Sequence, residues 1–521
     1  MKSIYRILVT LTVITVAAAC DSGFDELNTP KSGTSVIDPI YVFNQAVVNS
    51  SPPAGTLNYE VGIVQQLISP NTGVLLGANF NQVNINATNQ VWINYYQNVI
   101  RFTADVIKHT KEEPARKNLY HMARIIQANA YMVLTDTYGD IPYSEAGKGY
   151  TDDQVLFPVY ESQQSLYPKI IAELTDATNS LDAASPIETT DALYKGAIAQ
   201  WKKFGYSLLL RAGMRLSNAN ATLAQSTVAA AFNGGVILAN ADNAILKHDA
   251  NFVNPLGNTL NGTEAANFYL AEPFVNALKN HNDPRLPAIA IRFPGAKAGS
   301  EQTGAGSKVA SNQYGLPVGS TDAMADTYGK TLPPPVGGTA GTRYAISQLD
   351  RNRMARRTSP LFIVTAAQSN LLLAEAAVKG WVTGTPATYF ATGVRAHMDQ
   401  MASYAPPTPG DPGSSVSDAD REAYVTANPL DTSSPTASIA QISYEYWIAS
   451  FLNGSEAWAN FRRTGYPVLT ANPSSASAIP GKFITRLTYP VSEIQVNSSN
   501  VQAAIATQGP DALDTKVWWN K

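Results

Sequence analysis

Residues 119–146 read LYHMARIIQANAYMVLTDTYGDIPYSEA. Within them Leu119, Met122, Ala123, Ile126, Ala130, Val133 and Leu134 recur at the i, i+3, i+4, i+7 spacing that gathers apolar side chains on one face of an α-helix. Gly139 and Pro142 stop that helix, because glycine ends helices in left-handed backbone and proline cannot continue one. The stretch from Trp92 to Lys108 reads as its antiparallel partner, set off by the breaker Lys111-Glu112-Glu113-Pro114. The unit is a helical hairpin.

Further hairpins follow from the same reasoning. Helical segments run from about Tyr160 to Leu181 and from Leu193 to Leu216, the latter with Leu193, Ala197, Trp201, Phe204 and Leu208 on one stripe. Later come Leu361 to Lys379, Thr388 to Met401, Ile439 to Phe451 and Ser455 to Arg463. Four pairs suggest tetratricopeptide-like packing, although their starts are irregularly spaced and no repeat consensus is evident. Between Asn218 and Arg357 the chain turns rich in Gly, Pro, Asn and Thr, with few sustained periods, and Pro406 to Pro435 is a shorter stretch of the same kind. Long irregular segments inside a folded body are commonly functional, so the ligand apparatus is expected there.

Composition narrows the partners. Lys+Arg 37 against Asp+Glu 40 gives a formal charge of −3, which provides no electrostatic footprint for nucleic acid. Charged residues make up only 15% of the chain, so its surface must be built largely of Asn, Ser, Thr and Tyr, a surface suited to neutral polar ligands. Hydrophobic residues at 45% suffice for a full core.

The N-terminus sets the expected compartment. Lys2 and Arg6 precede an uncharged run from Ile7 to Ala19, the charged region and short apolar region of a secretory signal, too short to span a bilayer comfortably. Ala17, Ala18 and Ala19 lead into Cys20, the single cysteine, so no intramolecular disulfide can form. This resembles a bacterial lipobox, in which Cys20 becomes the lipidated first residue of the mature protein. The expected organisation is a signal over 1–19, a lipidated Cys20 with a flexible tether over 20–38, and one body over 39–521 with a loop-rich insertion at about 218–357.

Signatures of catalysis are missing. The five histidines, His109, His121, His248, His281 and His397, are scattered singly, whereas a zinc hydrolase would cluster them. No Gly-x-Ser-x-Gly elbow occurs. Gly329-Lys330-Thr331 ends a stretch with Met324 where a phosphate loop requires glycine. A glycosidase needs only two facing carboxylates, and the best local cluster is Asp136, Asp140 and Glu145, which also suits a helix end and turn accepting backbone hydrogen bonds. No catalytic residue, cofactor or metal is expected.

The segment Asp136 to Ala146 resembles the signature of the SusD/RagB family of outer-membrane nutrient-binding lipoproteins. Other segments agree in order: Asp25-Glu26-Leu27-Asn28 after the lipobox, Asn370 to Ala376 closing with Gly380-Trp381, Glu456 to Pro467, and Arg486 to Glu493. The resemblance implies a single mostly α-helical body, with four tetratricopeptide-like helix pairs supporting a loop-rich ligand-binding face. It also implies a lipid-anchored location on the outer membrane surface, binding of oligosaccharides or other nutrient fragments, and delivery to a SusC-like TonB-dependent transporter. The matched motifs themselves are explicable as helix packing.

Two segments have the composition of a sugar site, where aromatic faces stack on rings and amides or guanidinium groups bond hydroxyls. The first, 71–92, offers Asn79, Phe80, Asn84 and Trp92, with Phe80 the preferred aromatic and Trp92 either a ligand platform or, beside Tyr95 and Tyr96, a core residue. The second lies in the insertion and offers Tyr314, Tyr328, Arg343 and Tyr344, facing ligand or packed on the helical body. Arg351, Arg353, Arg356 and Arg357 form the one basic cluster, able to grip an acidic sugar, pair with scaffold carboxylates or stay solvated. Trp518 and Trp519 are expected to anchor the tail. Alternatives to capture are a surface-anchored glycoside hydrolase and a protein-assembly or adhesion module.

Overall fold

The structure, a computed structural model, describes residues 37–149, 155–294, 306–335, 341–404 and 415–520. The expected signal, Cys20 and the tether up to residue 36 lie outside the described residues. Asp38 belongs to the body: its carboxylate accepts from Ile40 N to cap the first helix and meets Arg116 Nη2 at 2.6 Å.

The chain is mostly helical. Helix α1 spans Pro39–Asn49, α2 Ile85–Ile93 and α3 Arg101–Thr110, the last two joined by a wider-wound turn over Asn94–Ile100. The decisive helix, α4, spans Lys117–Tyr138 and is buried along nearly its whole length. It ends as expected at Gly139, whose φ of 85° disfavours any side chain and whose missing Cβ leaves room for the Gln508 amide. Helices α5 (Gln163–Ser180) and α6 (Ile198–Arg215) form the next hairpin, pressed together where Gly205 abuts the Thr178 side chain. Helix α6 begins later than its apolar stripe suggests. Lys195 and Gly196 adopt positive φ, and the Asp191 carboxylate holds that turn by accepting from Leu193 N, Gly196 N and Trp201 Nε1.

The expected loop region over 218–357 contains three well-formed helices: α7 (Ala221–Gly234) against α6, α8 (Glu272–Asn280) and α9 (Asp322–Thr331). Leu361–Val364, read as the start of a helix, is a strand antiparallel to Ala244–Leu246. The helix proper, α10 (Ala366–Val378), starts at a capping box of Thr365 and Gln368. It packs on α11 (Pro386–Gln400), after which α12 (Asp418–Ala427) occupies part of the second irregular stretch. Helices α13 (Pro435–Ala449) and α14 (Gly454–Thr464) complete the fourth pair, and α15 spans Ser498–Gln508. Among the described residues, the strands form short antiparallel pairs, and Ala271 meets Leu316 in an isolated parallel bridge.

The family-like motifs are where the pairs are fastened. Asp136, on α4, accepts from Arg215 Nε at 3.0 Å, Tyr167 Oη at 2.5 Å and Trp519 Nε1 at 2.8 Å. Arg215 reaches Glu456 Oε2 at 2.7 Å, which also faces Arg211 Nε at 3.1 Å. All of these groups are buried, and each carboxylate meets several donors, as a charge in a dry interior requires. Arg285 is likewise enclosed by Asp283, Glu445 and His397.

Candidate functional site

On the loop-rich side, three distant parts of the chain meet at Asn79. Its Oδ1 accepts from Gly319 N at 2.8 Å, while Nδ2 donates to Ser69 O at 2.7 Å and Ser320 O at 3.0 Å. Asn472 Nδ2 donates to Ala78 O at 2.8 Å, and Asn81 bonds Lys482 O through its amide. Asn81 itself sits in left-handed backbone, φ 47°, which asparagine tolerates better than most residues. The two segments singled out in the sequence are thus one platform, joined by a third loop around 466–482 that composition had not flagged. Its turn formers Asn472-Pro473-Ser474-Ser475 were the available signal.

The insertion contributes the rest. Beneath it lies a satellite core of Ile68, Tyr269, Ala271, Leu316, Ala325 and Ile346, with Tyr328 half-buried against it. Thr321 caps α9. Arg343 then clamps that helix to the loop: Nε and Nη2 meet Asp326 at 2.6 and 2.7 Å, and Nη1 meets Asp322. Arg292 ties neighbouring turns together by donating to Ala345 O at 2.6 Å, Asn312 O at 3.2 Å and Pro333 O. The Tyr314 ring takes Arg292 at 5.1 Å and Lys279 at 4.8 Å from its centroid. Lys279 also lines a pocket of about 510 Å³ with Asn282, Ala310, Ser311, Val416 and Asp420, a volume in the range of small-ligand sites.

The expected site residues divide sharply. Phe80 is 1% exposed and Trp92 5%, so both rings are packed inside the protein in this structure. Trp92 sits in an aromatic cluster with Tyr96, Tyr138, Tyr160 and Tyr489. Asn79 is the buried knot just described, and Asn84 caps α2 by accepting from Ala87 N while donating to Val74 O and Leu76 O. These four are buried and build the platform from beneath, where the sequence reading expects them on its ligand face. Tyr314, Tyr328, Arg343 and Tyr344 remain half-exposed on it. The sequence reading missed Val74, 76% exposed, and Met324, 53% exposed, which add apolar surface on the 69–77 loop and on α9.

The carboxylates considered for hydrolysis are committed to structure. Asp136 is tied up as above, Asp140 Oδ1 accepts from Gln163 N at 2.9 Å to start α5, and Glu145 accepts from Val159 N at 2.9 Å. The basic cluster is partly internal. Arg351 lies over the Phe293 ring and donates to Leu260 O, and burial pulls its pKa down to about 10. Arg353 donates to Ala288 O and Met401 O. Trp519 anchors the tail, as expected. Among the described residues no group of His, Cys, Asp and Glu is arranged to hold a metal ion, and no helix is long and apolar enough to cross a membrane.

Comparison with known proteins matches residues 31–490 to a family model, SusD-like, described as starch-binding associating with outer membrane. Solved structures resemble the chain over 93% of its length. One described as a chitin-binding protein shares 29% identity at a TM-score of 0.78, with 100% of that chain covered. A Bacteroidetes SusD-like protein, AC2a, shares 26% at 0.80, also with 100% covered. A chitin-binding SusD homologue from Flavobacterium johnsoniae, with 98% covered, shares 21% at 0.73 and supports the fold alone. Among curated proteins none matches.

Proposed function

The chain belongs to the SusD-like family, and from that membership and the loop platform we propose that it is a cell-surface lipoprotein that captures oligosaccharides and delivers them to a TonB-dependent outer-membrane transporter. The observation that carries the reading is the family match over 31–490, joined to a face on which Tyr314, Tyr328 and Tyr344 stand half-exposed beside a pocket of about 510 Å³. Tyrosines suit a sugar because each offers an apolar ring and a polar tip at small entropic cost. The 29% identical chitin-binding relative makes a neutral amino-sugar oligomer the first ligand class to try. Lipidation at Cys20 supplies the anchor. Binding without turnover is the expected chemistry.

The test is affinity electrophoresis of the purified protein in gels carrying glycol chitin, starch or acidic polysaccharides, with product analysis on the same mixtures. Retardation without new reducing ends supports capture, cleavage overturns the non-enzymatic reading, and no retardation in any gel overturns glycan capture. Cys20→Ala should release the protein from the membrane fraction, and the transporter should co-purify from detergent-solubilised membranes.

A further inference from the structure

The surface around the start of the folded body is apolar. Ile37, where the described chain begins, is 59% exposed, Tyr41 in α1 is 63% exposed, and Ile187 in the loop before α6 is 49% exposed. Short bonds hold these segments together. Asp38 and Glu188, the neighbours of Ile37 and Ile187, share Arg116, whose Nη2 meets Asp38 at 2.6 Å and whose Nη1 meets Glu188 at 2.9 Å. Asn44, three residues beyond Tyr41, donates to Thr190 O and accepts from Ala192 N, each at 2.9 Å. The exposed Ala183, Ala184 and Pro186 extend the surface, their loop pinned by Asn118 Nδ2 on Asp182 O and Pro186 O, both at 2.9 Å. One exposed apolar side chain is ordinary, but several fixed about a shared arginine make a patch of set shape.

The chain itself says what this patch faces. Cys20, read as the lipidated residue, lies 17 residues before Ile37, a reach of at most about 60 Å when fully extended. The body is therefore held to the bilayer at the point where the patch sits. Contact with lipid becomes an intramolecular encounter, for which a few apolar side chains suffice. Arg116 and Lys117, the cations within these bonds, are engaged by Asp38, Glu188 and Asp182, so nothing in the network selects an anionic surface. The other end of α4 lies about 30 Å along the helix, where Leu487 N bonds Thr137 O and the chain leads back to the platform's third loop.

We infer that the surface of Ile37, Tyr41 and Ile187 rests in the headgroup region of a zwitterionic bilayer, the Tyr41 ring at the interface, and so sets the orientation of the body on its anchor. The inference rests on the lipid-anchor reading for its occupant and is independent of glycan capture.

The test places the mature chain, beginning at Cys20, in phosphatidylcholine vesicles that contain a nitroxide-labelled phospholipid. Cys20 is the single cysteine, so with its thiol acylated Tyr41→Cys, Ile187→Cys and, on the loop around 466–482, Val468→Cys each accept one fluorophore; Val468 is 83% exposed and serves as the control. Quenching at 41 and 187 should exceed that at 468 by about threefold or more and persist in about 0.5 M salt, because apolar insertion is not screened. Ile37→Asp should lower the quenching at 187 toward the level at 468. Equal quenching at the three positions, quenching at none, or loss of the difference in salt overturns the inference. If mass spectrometry finds Cys20 without acyl chains, the anchor reading fails, and the Cys20→Ser form of each labelled variant at millimolar lipid decides instead: the same order of quenching upholds the patch, and none overturns it.

Discussion

Arg463 and Glu375 form a two-armed ion pair, Nη1 and Nη2 each 2.6 Å from one carboxylate oxygen, with both side chains 2% exposed. The pair joins α10 to α14, two helices from different hairpins. Burial pushes the Glu375 carboxyl upward, but Arg463, aided by Lys379, outweighs it and holds its pKa below the ordinary range. Removing one partner strands a charge, so Glu375→Ala should cost about 3–5 kcal/mol in urea unfolding, and Glu375→Leu with Arg463→Met should cost much less. A pKa depressed by folding gives stability that is present above the unfolded-state value and lost as pH falls through the folded one. The Glu375→Leu with Arg463→Met variant should therefore lose less stability than the parent on acidification.

Glu60 behaves in the opposite sense. It is fully buried, and neither carboxylate oxygen has a hydrogen-bond partner among the described residues. Burial raises its pKa to about 7, against a partial pull down from its own backbone N–H and Arg462. Its stabilising effect is complete below the unfolded-state pKa and lost as pH rises through about 7. Glu60→Gln should remove that slope, flattening the dependence by on the order of 3 kcal/mol between about pH 5 and about pH 8. Urea midpoints across that interval measure it; an unchanged slope would sink the assignment.

The platform separates ring contacts from ring packing. Tyr328→Ala and Tyr344→Ala should each weaken glycan binding by about tenfold while lowering stability by no more than about 2 kcal/mol. Phe80→Ala, by contrast, opens a hole under the platform and should cost about 3–5 kcal/mol in stability. Isothermal titration and thermal unfolding of the same variants distinguish the two.

Asn79 holds loops that no helix holds. Asn79→Ala leaves Gly319 N, Ser69 O and Ser320 O without its amide, each at about 1–3 kcal/mol if water cannot replace it. The Gly319 amide should then exchange with deuterium about tenfold faster or more, with α4 amides unaffected. Unchanged exchange at Gly319 would show that the loops are held by other contacts.

The helix pairs were legible because their evidence is local: apolar residues three and four apart in 119–134, and glycine or proline at the ends. What was lost depended on distant partners. Phe80, flanked by asparagines, has the composition of a ligand loop, and only contacts from remote segments pull it inside. Leu361–Val364 is a strand because Ala244–Leu246 lies beside it, which no window around 361 contains. Asn220 was counted as loop composition, yet its side chain accepts from Leu223 N and starts α7. Tyr314, Tyr328 and Tyr344 stand out by asking which aromatics lie on the irregular insertion, and Tyr328 proves to lie on α9. That question cannot separate an exposed ring from one buried under another loop.

The Asp136 network has a consequence for how the molecule is made. Its carboxylate waits on Arg215, and the segment that covers it is last in order: Leu487 N bonds Thr137 O, Tyr489 Oη bonds Asp140 O, and Trp519 Nε1 bonds Asp136 itself. Arg215 and Tyr167 of the second hairpin already meet this carboxylate, and Trp519 adds a third donor from far along the chain, so the buried network is complete only once residues 487–519 have docked on the first hairpins. A chain stopped after Pro510 keeps the Leu487 and Tyr489 bonds but loses the Trp519 donor, and should unfold at a lower temperature than the parent. The Asp136 knot thus ties the first hairpins to a segment more than three hundred residues away, so a defect at either end should be felt at the other.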